Sequence, residues 1–447
     1  MRTETVRKIL GTAEQVIDKL VKSSDGNLEL KRMQATMLDE FAKTYAVQGD
    51  TVKQQEASQK SLAIAKQLSD IVPGDAQSLQ NLSAAHGGKG DVSLAQGDLP
   101  GALKAYQESL EIAKMASPNN PFAQNDLGII NNKIGDVFVR EGKLNEALSS
   151  YGEALAVLEP AAKTAPTDLK LQEGLGASYE KIGNVLAAQG NLTEALSSYR
   201  AALDIGERLV EADPDNTTWQ RNHSVDLLKF GNILELQKDL SGAVEAYQDS
   251  LSISRAMAKA DPGNTGWQRD ISVALEKVGD VRKAEGDLDA ALQAYQESSA
   301  ISDALSKADA ANTEWQRDVS VSYEKVGDVQ KAQGNLDAAL QAYQESYVIR
   351  VRLGQSDATN LQWERDVFVS HHKIGDVLKA QNDTNGALKR YQAALEIAGR
   401  LVAADPTNAT WREDRGFTFY KICNVSVMQC NLTELGKFIK SHPAPNR

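Results

Sequence analysis

The chain has 447 residues, 41% of them hydrophobic and 25% charged, and none of its apolar runs approaches the ~18 residues that a membrane span needs. Acidic residues outnumber basic ones by 61 to 49, and the net charge of −12 repels phosphate backbones, which argues against nucleic acid as a partner. Two cysteines are too few for a disulfide framework, and the N-terminus lacks the apolar core of a secretory signal. We therefore expect a soluble cytoplasmic protein.

Residues 1–34 contain one amphipathic helix. Its apolar stripe follows helical spacing through Ile9, Leu10, Ala13, Val16, Ile17 and Leu20. In the register of the repeats that follow, this segment corresponds to the second helix of a pair whose first helix is missing. We predict that residues 1–34 form a half repeat or a cap helix.

A glycine then recurs along the chain, and we call its place in each repeat the marker position. It is occupied by Gly90, Gly135, Gly183, Gly231, Gly279, Gly327 and Gly375, with Ala42 and Cys423 at the two ends. The step is 48 residues except from Gly90 to Gly135, where it is 45. Tyrosines from Tyr151 to Tyr391 and all five tryptophans keep the same period, so the chain is an array of repeats.

Each repeat predicts a pair of helices. Apolar residues from Trp315 to Val329 lie at helical spacing and predict a first helix of about 19 residues, helix A. In the turn that follows, Gly334 is expected to adopt the left-handed conformation and Asn335 to cap the next helix, helix B. Helix B ends near Asp-Pro in several repeats, and an asparagine such as Asn312 then caps the next helix A. We expect Trp315 and its equivalents to be buried at the far end of the pair.

Gly327, Gly334, Ala339 and Tyr343 stand at the intervals of a known signature, as do Gly183, Gly190, Ala195 and Tyr199. The chain therefore resembles the tetratricopeptide repeat family, although its unit exceeds the usual ~34 residues by about 14. The resemblance implies an all-α, right-handed superhelical solenoid of stacked antiparallel helix pairs, with the A helices on the inner wall. We place the repeat array at residues 35–422 and a degenerate last unit with a tail at residues 423–447.

A lysine stands two residues before most marker positions and an acid or asparagine one residue after them, on one face of helix A. These residues could form a ladder of ion pairs between repeats or the charged floor of a peptide groove, and the ladder is the favoured interpretation. The residue three before the marker varies, which suits a surface that selects a partner. Leu228 is the apolar case, with Asn232 and Glu235 after it at helical spacing. The candidate groove residues are Asn132, Asp136, Glu180, Asn184, Leu228, Asn232, Glu235, Glu276, Asp280, Glu324, Asp328, His372 and Asp376.

Catalytic and metal chemistry find little support in the sequence. A unit that is copied almost verbatim does not build a single active site, and His371 and His372 with Asp376 lack a third convincing ligand, so a packed or solvated histidine pair is favoured. Cys423 and Cys430 have no basic neighbour that would activate them, which favours buried or idle thiols. We expect neither an enzyme nor a cofactor.

Two functions remain open. The first is a non-catalytic scaffold that binds a protein or peptide in the concave groove. The second is the sensory or regulatory array of a larger bacterial signalling or effector enzyme, because the start of the sequence also looks like a junction at which a Toll/interleukin-receptor-like or caspase-like domain precedes such repeats. The second hypothesis requires an effector domain upstream.

Overall fold

The computed structural model describes residues 2–23, 27–116 and 121–426, and within these residues it contains α-helices and no strands. The A helices are α2 (Leu28–Val47), α4 (Ala76–Ala95), α6 (Pro121–Arg140), α8 (Leu169–Ala188), α10 (Thr217–Leu236), α12 (Thr265–Glu285), α14 (Thr313–Ala332), α16 (Leu361–Ala380) and α18 (Ala409–Val425). The B helices are α1 (Arg2–Ser23), α3 (Thr51–Ile71), α5 (Leu99–Ala116), α7 (Leu144–Thr164), α9 (Leu192–Ala212), α11 (Leu240–Ala260), α13 (Leu288–Ala308), α15 (Leu336–Ser356) and α17 (Thr384–Ala404).

The chain forms two compact units, Met1–Gln237 and Lys238–Arg447. Within each unit an A helix packs against the B helix that follows it, and that B helix packs against the next A helix. This confirms the predicted all-α stack of antiparallel helix pairs. Helix α2 begins at Leu28, so the boundary placed at residue 35 lies inside the first A helix. Within the described residues, none of the helices combines the length and the apolarity that crossing a bilayer requires.

The predicted helix ends are mostly confirmed. The Asn312 side chain accepts a hydrogen bond from the backbone N–H of Trp315 at 3.1 Å, and Gly334 has a left-handed φ of 82° in the following turn. The expected Asn335 cap is wrong, because its amide nitrogen donates instead to Gln330 Oε1 at 2.9 Å. An aspartate at the same place does cap its helix, as Asp287 shows by accepting from the N–H of Ala290 at 3.1 Å.

The marker glycine makes room for an aromatic ring. A Cβ built on Gly135 would stand 2.3 Å from Cε1 of Tyr151, and one built on Gly327 would stand 2.6 Å from Cε1 of Tyr343. Both distances are far inside van der Waals contact, so any side chain at the marker would displace the tyrosine. The same contact occurs at Gly90, Gly183, Gly279 and Gly375 with the tyrosine 16 residues later.

The first helix pair, α2 and α3, has other residues at the places of the marker glycine and the tyrosine. The marker position holds Ala42, and the residue 16 later is Ser58 instead of tyrosine; both are buried. A larger residue on helix A is thus matched by a smaller one on helix B, because the space between the two helices is fixed by close packing.

The tryptophans are less buried than expected. All five are half-buried, although Trp219 and Trp411 each pack against a buried apolar cluster. The expectation of burial is therefore wrong for these rings, each of which lies in the first turn of its A helix. A packing role remains, with a smaller contribution than a fully buried ring would make.

Candidate functional site

Each aspartate that follows a marker glycine is held by side chains from two other helices. Asp328 on α14 accepts hydrogen bonds from the hydroxyl of Tyr343 on α15 and the ammonium of Lys373 on α16, both at 2.6 Å. The Lys373 ammonium also lies 5.9 Å from the centre of the Tyr343 ring, within cation–π distance. The same trio occurs as Asp91 with Tyr106 and Lys133, Asp136 with Tyr151 and Lys181, Asp280 with Tyr295 and Lys325, and Asp376 with Tyr391 and Lys421.

The trios of Asp328 and Asp376 keep the carboxylate charged in spite of burial. Burial raises the pKa of Asp328, but the hydrogen bonds from Lys373 and Tyr343 and the charge of Lys373 outweigh it, so the pKa of Asp328 lies below its usual value. Burial and the neighbouring carboxylate raise the pKa of Tyr343 above its usual value, so the phenol remains a donor. The geometry supports the ladder interpretation of the lysine and acid pattern.

One repeat departs from the pattern and compensates for the change. Asn184 stands where other repeats have aspartate, and its side-chain oxygen still accepts from the Tyr199 hydroxyl at 2.7 Å. Without a carboxylate there, Lys229 forms its ion pair with Glu180, which lies one helical turn before Asn184. The lysine thus keeps an anionic partner on the preceding A helix.

The varying residue three before the marker contacts the next A helix. The Asn132 amide donates to Ser178 Oγ at 2.9 Å, and Ser322 Oγ donates to Glu276 Oε1, also at 2.9 Å. His372 Nε2 lies 2.8 Å from Thr418 Oγ1 in the same arrangement. In each case the partner is 46 residues further along the chain. The residue three before the marker, which was expected to contact a ligand, therefore also joins one repeat to the next.

All thirteen candidate groove residues lie on A helices, seven in the first unit and six in the second. Asn132 and His372 are buried, and the other eleven are half-buried. The structure brings the members of each unit onto one face of its stack. The contacts described above show that several of them are already engaged within the array, which leaves less of that face for a ligand than the sequence suggested.

The Trp-Gln-Arg-Asp segment carries a second ladder, which we did not predict. Arg317 Nε donates to Asp366 Oδ2 at 2.8 Å, and Arg365 Nε donates to Asp414 Oδ2 at 3.1 Å. Arg269 makes the same contact with Asp318, also at 3.1 Å. The arginine always precedes its aspartate by 49 residues, and this recurrence was visible in the sequence.

Asp226 is a buried acid at a place where four other repeats have serine or threonine. It lies on α10, 46 residues after Glu180, and is 8% exposed. Burial first, and then the negative charge of Glu180, raise the pKa of Asp226 to about 7, while Lys229 acts in the opposite direction. The charged form of Asp226 therefore destabilises the fold at neutral pH.

We expect Asp226→Asn to stabilise the protein at pH 8 by about 1–3 kcal/mol. An acid whose folded pKa is raised contributes stability that is present below about pH 4 and is lost as the pH rises through about 7. The gain should therefore disappear near pH 4 in urea unfolding followed by circular dichroism. Asp328→Asn is the control of opposite sign, because its lowered pKa contributes stability only above about pH 4. If Asp226→Asn stabilised the protein equally at every pH, the raised pKa of Asp226 would be contradicted.

His371 and His372 are buried and packed against aromatic rings. Burial lowers the pKa of both His371 and His372 to about 4, and the rings pack against Tyr347 and Phe368. The packed-pair interpretation agrees with these contacts. In the part of the chain that the structure describes, no three metal-ligating side chains converge. Cys423 is disulfide-bonded, so the expectation of an idle thiol is wrong for it; Cys430 lies outside the described residues.

One buried arginine breaks the symmetry of the second unit. Arg350 on α15 is 5% exposed, whereas the equivalent residue one repeat earlier is Ser302. Its Nη1 lies 2.5 Å from Glu324 Oε2 and donates to Ser370 Oγ at 3.1 Å. The guanidinium therefore forms an ion pair with the varying glutamate of its repeat from inside the helix pair.

Exposed large apolar side chains lie mostly on B helices from α1 to α5 and mostly on A helices from α6 onward. Among the side chains described from α6 onward, the exposed large hydrophobic residues on A helices are Ile129, Val139, Leu236, Val273, Phe417 and Tyr420, and a B helix carries only Val348. Ile129, Val273 and Phe417 all lie six residues before a marker position. The Phe417 ring is 45% exposed and stacks on His372, with 6.0 Å between the ring centres.

Comparisons with known proteins identify the repeat. Residues 175–216, which cover most of α8 and α9, match the family described as tetratricopeptide repeat. No curated protein matches the sequence. The tetratricopeptide resemblance drawn from the glycines and tyrosines is confirmed for the repeat and for the fold.

Two solved structures show the same fold over most of the chain. The apo form of RapI is 13% identical, with 80% of this chain and 86% of that chain aligned at a TM-score of 0.56. A signal transduction ATPase with numerous domains from Pyrococcus horikoshii, described as having a tetratricopeptide repeat sensor, is 15% identical at a TM-score of 0.50. The alignment covers 86% of this chain and 52% of that one, so this chain spans about half of its length.

Proposed function

We propose that the chain is a non-catalytic scaffold that binds a protein or peptide partner along its A helices. The observation that carries this proposal is that, from α6 onward, the exposed apolar side chains lie mostly on A helices, with Phe417 and Val273 in the second unit and Ile129 in the first. Exposed apolar groups set among polar ones are typical of protein interaction sites. The ladders of ion pairs keep the A helices in fixed register, which suits a preformed binding surface.

The thirteen candidate groove residues frame this surface. Leu228, with Asn232 and Glu235 after it on α10, is proposed as an apolar anchor bordered by polar groups in the first unit. In the second unit the half-buried Glu276 lies three residues after the exposed Val273 on the same helix, and Glu324 has the equivalent place one repeat later. A partner would contact the outer edges of these side chains while their inner atoms keep the repeats together.

We expect the double substitution Val273→Glu and Phe417→Glu to abolish partner binding without unfolding the protein. Both side chains are more than one third exposed, and the aliphatic part of glutamate keeps some of their packing, so we expect the fold to survive. Partners would be captured from a lysate of the source organism with the purified chain and identified after cross-linking. Circular dichroism would verify the fold.

Val348→Glu is the matched control, because Val348 is 52% exposed but lies on the B helix α15. It should leave the captured proteins unchanged. Equal loss of partners in the control and in the double variant, or full retention by the double variant, would contradict binding along the A helices.

A second candidate is the sensory array of a larger signalling enzyme. It is favoured by the likeness to an ATPase whose repeats are described as a sensor, and by the apolar stripe of α1, where Ile9, Val16 and Leu20 are about half exposed or more. The gene sequence upstream of Met1 would decide between the two: an adjoining effector domain in the same reading frame supports the sensor.

A further inference from the structure

The second unit carries a row of lysines that the first unit lacks. The row consists of Lys283, Lys331 and Lys379, each four residues after a marker glycine. The first two side chains are 40% and 36% exposed, and Lys379 is exposed as well. The corresponding residues of the first unit are Leu94, Val139, Ala187 and Glu235. This row therefore distinguishes the A-helix face of one unit from that of the other.

These lysines add positive charge beside carboxylates that already have a partner. The Lys283 ammonium lies 3.6 Å from Asp328 Oδ2, whereas Lys373 approaches the same carboxylate to 2.6 Å. Lys331 is likewise 3.8 Å from Asp376, which Lys421 approaches to 2.5 Å. Two ammonium groups thus share each of these two carboxylates.

The third lysine has no acid at the corresponding place. Asn424 stands where the two earlier repeats of the row have Asp328 and Asp376. Glu324 pairs with Arg350 and lies 3.5 Å from Lys373, while Glu276 accepts from Ser322 and lies 4.0 Å from Lys325. On the A helices of this unit the lysines two before or four after a marker position number seven and the acids three before or one after it number five, so the face has a net positive charge on a chain whose overall charge is −12.

An apolar row runs parallel to the lysines. It consists of Val273, Val321, Val369 and Phe417, one from each A helix of the unit. Val273 is 39% exposed, Phe417 is 45% exposed, and the two valines between them are half-buried. The valine and the lysine of one helix are ten residues apart, which separates the rows by about 15 Å along the helix and ~80° around it.

The spacing of the rows suits an α-helix laid across the stack. Successive A helices exchange side-chain hydrogen bonds, as Lys325 and Asp280 do, and helices in contact lie about 10 Å apart. Seven residues of an α-helix rise about 10.5 Å, so a helix with an apolar residue at every seventh position would place one on each repeat. Acidic residues on one flank of that helix would then face the lysine row.

We propose that the A-helix face of the second unit binds an acidic amphipathic helix, with its apolar seam on the valine row and its carboxylates toward Lys283, Lys331 and Lys379. This inference rests on the proposed function and adds the chemistry of the partner. The charge of the lysine row decides between an acidic and a basic helix, because like charges brought together oppose docking.

The test uses two synthetic probes of 22 residues, each with leucine at every seventh position and flanks of either glutamate or lysine. Binding to the full-length protein is followed by fluorescence anisotropy at low and at high salt. We expect the glutamate peptide to bind, the lysine peptide not to bind, and the affinity for the glutamate peptide to fall at least tenfold when Lys283, Lys331 and Lys379 are all changed to glutamine. Its affinity should also fall with added salt.

The matched control changes Lys259, Lys307 and Lys389 to glutamine. These three lysines are exposed on B helices of the same unit, so the net charge changes equally. Equal weakening in control and variant, no binding of the glutamate peptide, or binding of the lysine peptide would each overturn the proposal. The scaffold function would survive these outcomes if captured partners still depended on Val273 and Phe417, which separates the two hypotheses.

Discussion

Gly135→Ala is expected to lower the free energy of unfolding by about 1–3 kcal/mol, although alanine is ordinarily the better helix former. The new Cβ would stand 2.3 Å from Cε1 of Tyr151. The ring has no free direction in which to move, because its hydroxyl donates to Asp136 at 2.8 Å and that carboxylate also holds Lys181. Urea unfolding monitored by circular dichroism would measure the loss.

Gly152→Ala in the same helix pair is the control. Gly152 lies on α7 directly after Tyr151, is exposed, and a Cβ built there meets no atom within 4 Å. With no contact to disturb, alanine should stabilise the helix by up to about 1 kcal/mol. If both substitutions were stabilising, the marker glycine would not be a packing requirement.

Arg350→Met is expected to cost about 3–5 kcal/mol, because it leaves the Glu324 carboxylate without its closest cation in a poorly hydrated place. Lys373 remains, but its ammonium is 3.5 Å from Glu324, whereas Arg350 approaches to 2.5 Å. The buried chain of Met is close in volume to the aliphatic part of arginine, so packing should change little. Thermal and urea unfolding of the full chain would measure the effect.

Adding Glu324→Gln to Arg350→Met should recover part of the loss, because the uncompensated charge is then removed. Arg352→Met is the control on the same helix, where the side chain is exposed, and it should change stability by less than about 0.5 kcal/mol. A double variant as unstable as the single one would show that arginine packing, and not the ion pair, is the important contribution.

The elements of the fold could be predicted because each signal is local and repeated. Gly334 shows where a helix ends and Asn312 shows where the next A helix begins, and short-range backbone geometry decides both. The marker glycines show where helix A packs against the tyrosine of the following helix B, which is only 16 residues further along the chain. Asn335 failed as a cap because an amide can turn either its oxygen or its nitrogen toward the backbone, and Gln330 offered an acceptor for the nitrogen.

The site was harder to predict because its contacts join residues from different repeats. The pairing of Asn132 with Ser178 and of Glu276 with Ser322 depends on which faces of successive A helices meet, and this is a property of the stack. Arg317 and Asp366 could have been found by asking which charged residues recur 49 apart. The burial of Arg350 left no such signal, since it occurs once.

The two ladders run in opposite directions along the chain. A lysine such as Lys373 reaches back to the preceding repeat, while an arginine such as Arg317 reaches forward to the next one. Each 48-residue segment of the second unit therefore carries an aspartate and an arginine that pair with the next segment, and a lysine and an aspartate that pair with the preceding one. When one whole segment is duplicated or lost in the gene, every charged group of the ladders still has a partner. The number of repeats could therefore change by whole segments during evolution, without compensating substitutions at the new junction.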